Sequence, residues 1–425
     1  AEVNFWGEAS PRSRVRVTAS WDGRTHETRA DASGRWALKL PTGEAGGPYT
    51  VTLSDGEPLV LDNVLVGEVW VCSGQSNMEM PVSGFMFQPV EGAVDAIADA
   101  GMYPGIRMFT VPRVSSKTPL DDCDAAWQTA TPASVGQFSA VGYFFGRMLY
   151  KALGIPVGLI TSNWGGSTIE AWMTVDAIDA TPGIDHAVAK SGTYDNSIPQ
   201  RLYNGMILPV CRYTAKGFIW YQGESNTGDV ADDYGRMLAA MIGCWRKAWG
   251  QQRLPFLIVQ LPVFSIDGVE DGGWALVRKH QWQAAKSIED VAAVVTLDAG
   301  DWNDLHPWNK SVVADRLFAA AQRLVYGKDD APRSPEPTGV RLADGRLTIA
   351  FDDGTGDCGL DTMDGADPGE FELVWEDGSR HTVPARVEGN TVVIDVPWRR
   401  PAAVRYAWRN APSHGLLCGS NGLPI

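Results

Sequence analysis

From about residue 66 to about residue 328, short apolar runs alternate with stretches of helical periodicity, and this alternation constrains the fold more than any other feature. Val69-Trp70-Val71-Cys72 reads as the end of a buried strand, and so do Pro156 to Ser162, Gly217 to Tyr221, Pro255 to Gln260 and Val291 to Leu297. Between them, Gln137 to Leu153 places Phe138, Val141, Phe145, Met148 and Leu149 on one helical face. Further helices are expected over Asp232 to Trp249, over Trp274 to Ile288, and from near Trp308 to Tyr326. Strands separated by helices of this length imply right-handed crossovers, hence a mostly parallel sheet with helices on both faces. Ligands on such a sheet bind at the carboxyl ends of the strands.

The two ends of the chain read differently. Val15 to Ala19 and Tyr49 to Leu53 alternate apolar and polar residues, with turns marked by Trp21-Asp22-Gly23, Ser33-Gly34 and Asp55-Gly56. A proline-rich linker, Lys328 to Pro337, precedes a second β-rich stretch with strands expected at Arg346 to Phe351, Glu372 to Trp375, Val392 to Val396 and Val404 to Trp408. The expected plan is a β-rich unit over 1–65, an α/β unit over 66–328 and a β-rich unit over 338–425, without internal repeats.

Of the 425 residues, 44% are hydrophobic and 20% charged, as in an ordinary globular chain. The net charge of −15 excludes the basic footprint that nucleic acids and anionic membranes require. No apolar run approaches the ~20 residues of a membrane span. Ala1-Glu2-Val3-Asn4 has no basic n-region and no apolar h-region follows, so no signal peptide is expected here; the compartment is secreted or periplasmic if one was removed, otherwise cytoplasmic. The six cysteines lie far apart and exclude the usual zinc spacings. The acidic run Asp352-Asp353-Gly354-Thr355-Gly356-Asp357 lacks the order of a calcium loop, so no metal is expected.

Four expected strand ends in the α/β unit carry polar, mostly glycine-bearing turns. In Cys72-Ser73-Gly74-Gln75-Ser76-Asn77-Met78-Glu79-Met80, Ser76 sits where a strand turns into a helix, which leaves its hydroxyl exposed and able to attack. This is not a Gly-x-Ser-x-Gly elbow, because Met78 occupies the second glycine position. Asn163-Trp164-Gly165-Gly166-Ser167-Thr168 pairs two glycines whose N–H groups can face a ligand with no side chain in the way. Trp220-Tyr221-Gln222-Gly223-Glu224-Ser225-Asn226 offers two amide side chains, Gln222 and Asn226, of the kind used to hold an oxyanion. Asp301-Trp302-Asn303-Asp304-Leu305-His306-Pro307 places a histidine beside carboxylates just before a helix. A carboxylate orients an imidazole, which deprotonates a serine. Asp304 and His306 are two residues apart, so in an extended segment their side chains share a side and Asp304 would reach His306 Nδ1. Each turn also has a plain structural reading as a tight loop or helix cap.

Together these blocks resemble the carbohydrate acetylesterases of the SGNH-hydrolase superfamily, most closely the sialate O-acetylesterase group. The resemblance rests on residues 67 to 80, 163 to 173, 220 to 226 and 303 to 310, on Leu-Tyr-Asn-Gly-Met-Ile (202 to 207), and on the closing Ala-Val-Arg-Tyr-Ala-Trp (403 to 408) and Gly-Leu-Pro (422 to 424). It implies a three-layer α/β/α, flavodoxin-like SGNH catalytic domain with β-rich N- and C-terminal domains. It also implies Ser76 as nucleophile, His306 as general base and Asp304 as the third member, with Asp301 in reserve because Asn303 occupies the superfamily's usual acid position. The oxyanion hole it implies is the Ser76 and Gly166 N–H groups and Gln222, with Asn226 second. Trp164, Asn226 and Trp308 are expected to meet substrate; Trp172, Trp220 and Tyr221 stack on sugar or belong to the core. No cofactor is implied. The expected substrate is an acetylated carbohydrate. Acetylxylan or another plant polysaccharide is the alternative, and an inactive carbohydrate-binding protein a further one. The family's β-rich insertion within the catalytic region is seen here only at the ends, and its usual opening segment is not seen.

Overall fold

The computed structural model describes residues 2–265, 273–352, 359–396 and 400–425. Most of the acidic run considered above lies outside them. At the N-terminus, β1 (Glu2–Glu8) pairs antiparallel with β4 (Arg35–Pro41), while β2 (Arg14–Ala19), β3 (Thr25–Arg29), β5 (Gly46–Ser54) and β6 (Pro58–Val66) form a sheet in the order β3-β2-β5-β6. The alternation read in Val15 to Ala19 puts Val15, Val17 and Ala19 inward, where they meet Trp36, Leu40 and Val51.

The centre is one seven-stranded sheet. Its strands are β7 (Glu68–Gly74), β8 (Ile106–Thr110), β9 (Gln128–Thr129), β10 (Val157–Asn163), β11 (Gly217–Tyr221), β12 (Phe256–Val259) and β13 (Val291–Val294), in the order β13-β12-β11-β7-β10-β8-β9. All neighbours are parallel except β8 and β9. The short strands β8 and β9 are absent from the sequence reading. In β8 only Ile106, Met108 and Phe109 are apolar, too few for either period to stand out.

Helices cover both faces. Ala140–Leu153, capped by the Ser139 hydroxyl, and Lys310–Leu324 bury Phe145, Leu149, Val313 and Leu317 against one face. Tyr234–Trp249 and Trp274–Ser287 cover the other, where Phe218 packs on Trp245 and Trp249 with ring centres 5.3 and 4.8 Å apart. Trp172, Trp220 and Tyr221 are fully buried, which assigns them to the core rather than to a sugar surface. Beyond the linker, antiparallel strands enclose Leu347, Ile349, Phe351, Phe371, Leu373, Val392 and Ile394. No described helix is long and apolar enough to cross a membrane, and among the described residues no group of side chains is arranged to hold a metal ion.

The strand order places β7 between β10 and β11, both parallel to it, where the chain's crossovers diverge to the two sides of the sheet. The carboxyl ends of these three strands carry Ser76, the Gly165-Gly166 turn and the Gln222 turn. They are the topological switch point at which such sheets bind ligands.

Candidate active site

Gly74 ends β7 with φ 147°, and a Cβ there would lie 2.0 Å from the Tyr221 carbonyl oxygen. Only glycine lets β7 and β11 finish this close, and the chain then turns directly into the four-residue helix Ser76–Glu79. Ser76 is half-buried, with its N–H among the first-turn donors that have no acceptor within the helix. Its Oγ lies 2.8 Å from His306 Nε2, across 230 residues of sequence.

The imidazole is half-buried, and its pKa is pushed below the ordinary 6.5, first by burial and then by the nearby Lys310 charge, with Asp304 opposing. The shift favours the neutral ring, the form a general base requires.

Asp304 does not make the direct contact expected from its spacing. The 301–307 segment is a series of turns rather than an extended strand, with the Asp304 N–H on the Asp301 carbonyl at 3.2 Å. Asp304 Oδ1 folds back to accept the backbone N–H of His306 at 2.9 Å, so the same-side geometry of a strand never arises. His306 Nδ1 meets Gln88 Oε1 at 3.0 Å instead, and Gln88 Nε2 donates to Asp304 Oδ1 at 2.7 Å. Asp301 is exposed.

The glycine turn after β10 reaches the serine. A Cβ on Gly165 would lie 3.4 Å from Ser76 Cβ. The Gly165 N–H is taken by Glu79 Oε2 at 2.6 Å, and Glu79 also pairs with Arg113. Gly166 is exposed with φ 70°, and its N–H has no partner among the described residues. Gln222, expected to donate to an oxyanion, is fully buried and spends its amide hydrogens on the Ser167 carbonyl at 3.0 Å and Asn226 Oδ1 at 2.7 Å. Asn226, expected to meet substrate, is also buried; its amide nitrogen donates to both Glu170 oxygens at 3.1 Å. The reason is general: most fully buried polar atoms take an internal partner. Both side chains brace the turn from behind. Trp164 is half-buried and Trp308 is 42% exposed, so both remain open to a ligand.

Beneath the serine lies a cluster that the sequence reading did not single out. Asn77 Nδ2 donates to Glu224 Oε1 at 2.6 Å and to the Leu305 carbonyl at 3.1 Å, while Lys310 Nζ donates to Asn77 Oδ1 at 2.5 Å. Burial pushes the Lys310 ammonium down to about 7, opposed by Glu224 and Asp304, and burial likewise raises the Glu224 carboxyl. The only trace in the sequence is that Asn77, Glu79, Glu224 and Lys310 are polar residues inside blocks already singled out for other members. Gln88 lies in none of them.

Comparison with known proteins gives the family. Residues 66–315 match the family model described as carbohydrate esterase, sialic acid-specific acetylesterase. The sialate O-acetylesterase of Homo sapiens is 30% identical, over 97% of this chain and 85% of the relative, and that of Mus musculus is 29% identical, over 97% and 87%. The crystal structure of a carbohydrate acetylesterase from Xanthomonas citri superposes with a TM-score of 0.88 at 34% identity, covering 99% of this chain and 94% of that one. The chain therefore belongs to the sialic acid-specific acetylesterase family of carbohydrate esterases, and is an ester hydrolase on the SGNH fold.

Proposed function

We propose that the protein removes O-acetyl groups from an acetylated carbohydrate, with Ser76 as nucleophile and His306 as general base. The observation that carries this reading is the 2.8 Å contact between Ser76 Oγ and His306 Nε2 at the carboxyl end of β7, beside the Gly165-Gly166 turn. His306 Nε2 takes the Ser76 proton as Oγ bonds to the acetyl carbon. The oxyanion is received by the Ser76 and Gly166 N–H groups, donors worth about 3–4 kcal/mol each where such groups have been removed. Gln222 serves by holding the Ser167 carbonyl, and with it the turn. When the tetrahedral adduct collapses, the bond from the acetyl carbon to the sugar oxygen breaks and the imidazolium proton passes to that oxygen. A water deprotonated by the same imidazole then releases acetate.

Trp164 and Trp308 are assigned to the sugar. The substrate class we favour is an O-acetylated sialic acid, on the strength of the similarity to the two mammalian enzymes. Acetate release from 9-O-acetyl sialic acid, acetylated xylan and acetylated monosaccharides tests the class. Preferential turnover of xylan would replace the sialate assignment, and glycan binding without acetate release would replace the enzyme. Ser76→Ala is expected to abolish 4-nitrophenyl acetate hydrolysis with the melting temperature retained. Full activity in that variant would end the nucleophile assignment.

A further inference from the structure

We propose that Gln88 is the residue that orients His306, and that Asp304 acts on the imidazole only through the Gln88 amide. The proposal rests on His306 being the general base. Each link has one allowed polarity. A carboxylate only accepts, so Asp304 Oδ1 must receive Gln88 Nε2–H at 2.7 Å. That fixes the amide with its oxygen toward the ring, so His306 Nδ1 must be the protonated nitrogen in the 3.0 Å contact. The lone pair of the neutral ring is then on Nε2, 2.8 Å from Ser76 Oγ. The same Asp304 oxygen also holds the His306 backbone N–H at 2.9 Å, which sets ring position as well as tautomer.

The loop that presents Gln88 is built for this contact. Gln88 N–H closes a turn onto the Phe85 carbonyl at 3.0 Å, and the Phe85 ring stands edge-on to the imidazole at 5.3 Å. Inside that turn Phe87 adopts φ 64° while 95% exposed. This is a strained conformation for an aromatic residue, of the kind that persists where surrounding contacts over-determine it. Glu91 N–H donates to the Trp308 carbonyl at 2.9 Å, tying the loop to the segment that carries His306. The charged groups acting on the ring are Asp304 and Lys310.

The test is 4-nitrophenyl acetate kinetics with pH profiles on variants that keep the wild-type melting temperature. Where the carboxylate touches the imidazole directly, changing Asp to Asn costs roughly 10⁴-fold in kcat. Here Asp304→Asn keeps an acceptor oxygen for Gln88, and a loss of about tenfold or less is expected. Gln88→Ala is expected to lose about a hundredfold in kcat with KM little changed. The double variant Gln88→Glu/Asp304→Asn exchanges the two groups. It is expected to recover most of the activity, with its acid limb shifted upward because a carboxylate now meets Nδ1. A loss above a thousandfold in Asp304→Asn, with Gln88→Ala within threefold of wild type, would overturn the role of Gln88 and leave His306 as the base. Undiminished activity in His306→Ala would overturn both.

Discussion

Two amide side chains perform the same service at this site. Asn77 stands between Lys310 and Glu224 as Gln88 stands between His306 and Asp304, each carrying polarity between groups that do not touch. The sign of the Lys310 effect on the imidazole can be tested. Removing that cation in Lys310→Met should raise the His306 pKa, moving the acid limb of kcat/KM to higher pH, whereas in the wild type it lies below the ordinary 6.5. The same change leaves Asn77 Oδ1 without its donor and the buried Glu224 without a nearby opposite charge, and should cost about 3–5 kcal/mol in denaturant unfolding. Adding Glu224→Gln should return much of it. In the wild type the two groups pull stability in opposite directions with pH. Lys310 titrates near 7 when folded against 10.5 unfolded, so its contribution grows as pH rises between those values. Glu224 is raised above 4.5, so its contribution is full below that value and is lost as pH rises through its folded pKa. At this scale Ser76 and His306 were legible, because a hydroxyl at a strand-to-helix corner and a histidine among carboxylates before a helix are distinctive in one dimension. Gln88 was not, since a glutamine in a loop carries no periodic or turn signal.

The elements were largely legible, and their connections were not. The helices expected over Gln137 to Leu153 and Asp232 to Trp249 begin later, at Ala140 and Tyr234; the first start is set by the Ser139 hydroxyl, which accepts the Gly142 N–H, a signal that apolar periodicity does not carry. The strand ends near Gly74, Asn163 and Tyr221 were evident from apolar runs meeting polar turns. What joins the turns is side-chain chemistry. Glu79, on the short helix that begins with Ser76, holds the Gly165 N–H at 2.6 Å and is itself held by Arg113. Glu79→Ala should let the glycine turn drift from Ser76 and lower kcat by about ten- to a hundredfold with little change in KM, since displacements near 1 Å carry costs of that order. Steady-state kinetics on 4-nitrophenyl acetate would show it. A KM effect with kcat unchanged would mean that Glu79 serves binding rather than the position of Gly166.

At the scale of the molecule, one buried arginine fastens the C-terminal β unit to the catalytic sheet. Arg278, 4% exposed on the helix Trp274–Ser287, donates to the carbonyls of Ala407, Arg409 and Asn410. Arg278→Met would leave these carbonyls without that donor, at about 1–3 kcal/mol for each one left buried and unpaired. Calorimetry should then show the C-terminal unit melting earlier, as a separate transition, and a single unchanged transition would exclude the clamp. The sequence by itself determined the β/α alternation, the β-rich ends and the turns that carry Ser76, Gly166 and His306, because periodicity and turn chemistry are local properties of the chain. Only the tertiary structure decided what those groups touch. Gln88 meets His306 across 218 residues, Asp304 is folded onto its own backbone, and Gln222 is consumed by internal bonds. The physical reason is that most buried polar atoms take partners, and which partners lie within about 3 Å depends on the loops that the sheet brings together.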